Sequence, residues 1–111
     1  MAEGGPALRR AGARWGVVAA LAAGALPALA ATRTIAIEGM QFSPATLAIQ
    51  RGDQVVWVNR DLVPHTVTAA KSFDSGSVAP GRSWRLAAPK PGRYEYVCTL
   101  HPTMKAVLVV E

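Results

Sequence analysis

The run Cys98-Thr99-Leu100-His101-Pro102-Thr103-Met104 spaces a thiol, an imidazole and a thioether three residues apart, and Cys98 is the only cysteine in the chain. The other histidine, His65, lies upstream at the end of an apolar stretch, so both histidines of the sequence can join one site. Two imidazoles and a thiolate, with a weak axial thioether, are the ligands of an electron-transfer copper centre. Zinc more often takes two or more thiolates, or three protein ligands and a water. A lone thiolate with a thioether suits copper better, because both soft donors hold Cu(I) while imidazole serves either oxidation state. Singly, each residue has an ordinary explanation as a surface histidine, an inert buried thiol or a methionine filling the core. Their conjunction favours a metal.

Extended chain advances about 3.3 Å per residue, which would part Cys98 from Met104 by about 20 Å, so the chain must turn back between them. Pro102 fits such a break, having no donor for a sheet ladder. Cys98 is therefore expected to end one strand, His101 to sit in a loop, and Met104 to stand where the last strand begins. Upstream, β-rich segments at 34–38, 46–50, 54–59, 66–70, 83–87, 93–99 and 107–110 are separated by Gly39, Pro44, Arg51-Gly52-Asp53, Asp74-Ser75-Gly76, Pro80-Gly81 and Pro89-Lys90-Pro91-Gly92. No stretch keeps a helical period for three turns. The class is all-β, and about seven short strands at this spacing predict a Greek-key sandwich or barrel.

Alternation then assigns faces. Tyr94, Tyr96 and Cys98 share one side of their strand, and Val55, Trp57 and Asn59 share one side of theirs, with the indole marking the core side. A buried Asn59 needs partners, and its place at a strand end leading to His65 predicts that it ties down the ligand loop. Met40 is expected to be packing, and the facing of Trp84 stays open.

The first 31 residues read as an export leader. Arg9, Arg10 and Arg14 precede an uncharged run over 15–31 that ends in Pro27-Ala28-Leu29-Ala30-Ala31, so cleavage is expected after Ala30 or Ala31, leaving one domain over 32–111. The rival is a retained membrane anchor, but the run is mostly Ala and Gly and partitions weakly into lipid. Arg9-Arg10 could also serve a twin-arginine route. Without the leader, nine basic residues face six acidic ones, scattered with no cluster for phosphate, which argues against nucleic acid. A domain of this size buries only about 60 to 65 % of its unfolded surface, and a single cysteine offers no intrachain disulfide to help. Catalytic equipment is missing too: there is no third histidine for a substrate-binding copper, and the acidic residues show no pairing in sequence for acid–base work.

With Met40-Gln41-Phe42-Ser43-Pro44, Gly52-Asp53-Gln54-Val55-Val56-Trp57-Val58-Asn59, Pro64-His65-Thr66-Val67, Gly92-Arg93-Tyr94-Glu95-Tyr96-Val97-Cys98 and the short Cys98-to-Met104 loop, the chain resembles the cupredoxins, the type 1 blue copper proteins. Within them it is most similar to the amicyanins, with plastocyanins and pseudoazurins as near relatives. The resemblance implies His65, Cys98 and His101 as equatorial copper ligands and Met104 as the axial one, with Asn59 bonded across to the ligand loop at Thr99. It further implies an exported, periplasmic, monomeric one-electron carrier with no small-molecule substrate, serving a redox donor and acceptor such as a dehydrogenase, cytochrome or oxidase. A copper storage or delivery protein on the same fold is the alternative. Partners would dock on the apolar rim of His101, formed by Leu100, Pro102, Val63 and Pro64. Ala106 stands where the family commonly has glycine, and the domain is shorter than is typical.

Overall fold

The computed structural model describes residues 29–111, so most of the expected leader lies outside the described residues. Among the described residues nine strands run in chain order: β1 (Thr32–Glu38), β2 (Gln41–Ser43), β3 (Thr46–Ile49), β4 (Gln54–Asn59), β5 (Thr68–Ala69), β6 (Phe73–Asp74), β7 (Ser83–Ala87), β8 (Gly92–Cys98) and β9 (His101–Val110). They form a four-stranded sheet, β2-β1-β4-β7, and a five-stranded sheet, β3-β9-β8-β5-β6. Both sheets are mixed, since β1 pairs parallel to β4 and β3 parallel to β9 while the other pairs are antiparallel. The all-β sandwich is thus as expected.

Period-two alternation builds the core between the sheets. On β4, Val55, Trp57 and Asn59 are buried, and on β8, Tyr96 and Cys98 are buried with Tyr94 half-buried above them. On β9 the buried row is Met104, Ala106, Leu108 and Val110. Trp57 stands at the centre, edge-on to Tyr96 with ring centroids 5.6 Å apart and donating its indole N–H to the Tyr96 hydroxyl at 3.2 Å. Burial pushes the Tyr96 phenol up to about 12, the Trp57 hydrogen bond opposing the rise. Trp84, whose facing was open, turns toward this cluster at 5.5 Å from Trp57.

Three expectations are corrected. The segment 66–70 narrows to the two residues of β5, because the backbone at His65 is held instead by a bridge to Val78, with N–H to carbonyl distances of 3.2 and 2.7 Å. The last strand begins at His101, not near Met104 or residue 107. Its register steps from Val97 opposite Lys105 to Cys98 opposite His101, so residues 102–104 are surplus on β9, and Pro102 sits in this irregularity where no ladder donor is asked of it. Met40 is not core packing: it is 42 % exposed and lies in a two-residue turn after β1.

Candidate metal centre

Two separate stretches meet at one end of the sandwich. The first leaves β4 at Asn59 and returns through His65, and the second is the tight hairpin in which Cys98 ends β8, Thr99 and Leu100 turn, and His101 opens β9. The Cys98 sulfur lies 3.6 Å from His65 Nδ1 and 3.7 Å from His101 Nδ1, and the three donor atoms all fall within 4.8 Å of one another. Donors about 2.0 to 2.3 Å from one central ion, spread at trigonal angles, stand about 3.7 Å apart. The sulfur-to-nitrogen spacings therefore fit ligands of a common ion. Cys98 and His65 are fully buried, and His101 keeps a partly exposed edge. Met104 is 3 % exposed on the inward row of β9.

The tautomer of His65 follows from its other nitrogen. Nε2 lies 2.8 Å from Asp61 Oδ2. Burial raises the Asp61 carboxyl, but the N–H groups of Met40 and Gly39 and the His65 ring together hold it below the ordinary value, so it is a carboxylate and can only accept. Nε2 then carries the hydrogen and Nδ1 presents its lone pair toward the sulfur, the usual way a carboxylate orients a metal-binding imidazole. Asp61 also accepts from Gly39 N–H at 2.7 Å and Met40 N–H at 3.0 Å. Both of those residues have positive φ, +64° and +60°, as a two-residue hairpin turn of the I′ kind requires, and Met40 adopts it without glycine's freedom. One carboxylate thus fixes a strained turn and an imidazole together.

Thr66 performs the matching task for the sulfur. Its backbone N–H donates to Cys98 Sγ at 3.3 Å, and its hydroxyl accepts from Thr99 N–H at 2.8 Å while facing the Thr99 hydroxyl at 3.0 Å. The bond across to the ligand hairpin is therefore made by Thr66, and the expected Asn59–Thr99 contact is not formed. Asn59 is spent elsewhere: its amide donates to the carbonyls of Val63 and Val78, each at 2.9 Å, and its oxygen accepts from Asp61 N–H at 2.9 Å. With all its groups used on the His65 loop, it has none left for Thr99. Asp61 and Thr66 escaped the sequence reading, although Asp61 stands four residues before His65, a spacing that could have drawn attention to it.

Leu100 is 51 % exposed and Val63 40 %, with Pro64 and Pro102 also exposed. Leu62, at 94 %, and Met40, at 42 %, are further exposed apolar side chains that the sequence did not single out for docking.

The cupredoxin-like domain family model matches residues 13–110. Amicyanin-alpha of Methylorubrum extorquens is 33 % identical over 109 residues, covering 89 % of this chain and 92 % of that protein. An oxidized amicyanin variant superposes with a TM-score of 0.68 at 29 % identity, over 72 % of this chain and 82 % of that one. A copper-containing nitrite reductase from Thermus scotoductus reaches the same TM-score at 28 % identity, but the match covers 78 % of this chain and only 23 % of that one. A buried cysteine sulfur and two imidazoles at these spacings suit copper, the metal that the nitrite reductase's name carries.

Proposed function

The chain belongs to the cupredoxin-like family, and we propose that it is a periplasmic one-electron carrier, exported by its leader and holding a single type 1 copper ion. The observation that carries the proposal is the Cys98 sulfur set between two imidazole nitrogens at 3.6 and 3.7 Å in a pocket closed on every side except at His101. In this reading His65, Cys98, His101 and Met104 would hold the copper, the thioether as the weakest of the four donors. Copper, when bound, supplies a Cu(I)/Cu(II) couple. The protein's part is to keep water out and the donors still: Asp61 locks the His65 ring, Thr66 N–H holds the sulfur, and the Thr66–Thr99 bonds fasten the two ligand-bearing stretches to each other. Donors held this way change little when an electron arrives or leaves.

Both histidines of the sequence are used in this one site, which leaves none for a second, substrate-binding copper of the kind an enzyme would need. Voltammetry on the copper-loaded protein tests the proposal: a reversible one-electron wave with the metal retained against a chelator is expected. Loss of copper during cycling, or ready loss to the chelator, would point instead to storage or delivery.

Electrons enter and leave at the His101 edge. That ring is the exposed ligand, and its neighbours Leu100 and Pro102, with Val63 and Pro64 of the other stretch, form an apolar rim suited to the small, brief interfaces of redox partners, a dehydrogenase, cytochrome or oxidase among them. Leu100→Glu places a charge that must be desolvated at each encounter, so electron self-exchange is expected to slow on the order of tenfold, with spectrum and potential nearly unchanged. Equal self-exchange rates at matched ionic strength would move the port elsewhere.

Asp61→Asn removes the negative charge bonded to His65 and spares the volume. Copper affinity is expected to fall about 10- to 100-fold, the usual effect of losing an outer partner of a ligand. The potential is expected to rise, because Cu(II) loses more than Cu(I) when a nearby anion is removed. Competition titration and voltammetry read both quantities, and a variant unmoved in either shows that Asp61 serves the Gly39–Met40 turn alone.

A further inference from the structure

Asp53 is a buried carboxylate with no part in the metal centre. It is 6 % exposed, and each of its oxygens takes one backbone N–H: Oδ2 that of Gln50 and Oδ1 that of Ala31, both at 2.9 Å. The Gln50 and Ala31 bonds hold its carboxyl below the ordinary value in spite of burial, with Arg33 adding a smaller pull in the same direction. Ala31 is gripped twice, since its carbonyl also accepts from Gln54 N–H at 2.9 Å. Of the two described residues before it, Ala30 is exposed and Leu29 is 92 % exposed. Ala31 is therefore where the sandwich takes hold of the chain, and it does so through a carboxylate.

We propose that the leader is cut between Ala30 and Ala31, and that Asp53 is placed to receive the ammonium group this cut creates. A leader endopeptidase supplies the reaction, a hydrolysis: water adds to the Ala30 carbonyl, the carbon–nitrogen bond breaks, Ala30 departs with a carboxylate, and the Ala31 nitrogen takes up protons. The sequence favours the same bond. Ala28 and Ala30 occupy the third and first positions before it, as a small-x-small signal needs, whereas a cut after Ala31 puts Leu29 in the third position. A cut after Ala31 also discards both bonds that fasten the start of β1. Cutting before Ala31 keeps both and turns the amide donor into a cation, so that a Coulombic attraction is added to the hydrogen bond the Asp53 carboxylate already accepts.

The inference is independent of copper. Intact mass of the product exported from the full-length chain is expected to give Ala31 as its first residue, and a product starting at Thr32 or elsewhere overturns the proposal. Pairing is read from thermal unfolding of the copper-free product against one beginning at Leu29, in which the Ala31 nitrogen is again an amide. The Ala31 product is expected to melt about 4 to 8 °C higher, the shift that a modest ion pair makes in a domain of this size. In Asp53→Asn the difference is expected to shrink to about a quarter of that value or less. Equal melting of the two parent products overturns the proposal even if Asp53→Asn does not fold, and so does an undiminished difference in that variant.

Discussion

Oxidised, copper-loaded protein is expected to lose its intense blue absorption completely when Cys98 is replaced by alanine. The colour of a type 1 centre comes from charge transfer out of a thiolate, and the chain contains no other cysteine to supply one. Its sulfur is also the atom common to both short donor spacings, so its removal leaves two imidazoles with no soft equatorial partner. The domain survives the change. Replacing a small buried side chain costs about 1 kcal/mol for the atoms lost, and the Thr66 N–H left without its acceptor adds about 1 to 3 kcal/mol. Circular dichroism of the copper-free variant is expected to keep its β signature while the melting temperature falls. A Cys98→Ala protein that folds and is still blue overturns the ligand assignment.

Substitution of Met104 is expected to move the reduction potential in two directions while copper stays bound. Met104 lies on the inward row of β9 with Ala106 and Leu108 and is all but sealed from water, so what replaces it acts in a dry site. Glutamine brings a hard oxygen that favours Cu(II), and the potential falls. Leucine offers no donor, which disfavours Cu(II), and the potential rises. A hundredfold change in the preference between oxidation states corresponds to about 120 mV for a one-electron couple, and shifts of that order are expected on either side of the parent. Voltammetry of both variants settles it: potentials unmoved in both mean that the axial donor is some other atom.

The parts of the molecule that could be read from sequence are those where a single rule dominates. Alternation placed Trp57, Asn59, Tyr96 and Cys98 inward because each lies on a strand long enough to show a period of two. Strands β2, β5 and β6, of three, two and two residues, are too short to show any period and exist only through their partners. The start of β9 was hidden by Pro102, which reads as a break until the pairing of Cys98 with His101 is known. At the metal centre, residue types alone were enough to pick out Cys98, His101 and His65. The supports around them were not readable in the same way. Asn59 was expected to reach Thr99, but a carboxamide makes a limited number of bonds, and which ones it makes depends on where Val63 and Val78 come to lie. Asp61 and Thr66 look like ordinary loop polars until the fold brings one to an imidazole and the other to a thiol.

Strand β9 has a consequence for the order of events in folding. It is the last strand, yet it lies inside its sheet between β3 and β8, and it pairs in parallel with β3 across a separation of 61 residues, as in Thr46 against Val107. Such long-range ladders place a chain among the slow folders, in the millisecond-to-second class, because loop closure must precede the contacts that reward it. Because β9 follows β8 through a two-residue turn, the hairpin that carries Cys98 and His101 forms from local contacts, and it is the ladder to β3 that waits on the long loop. Until that ladder closes, the hairpin carries the chain's one thiol without the full sheet around it.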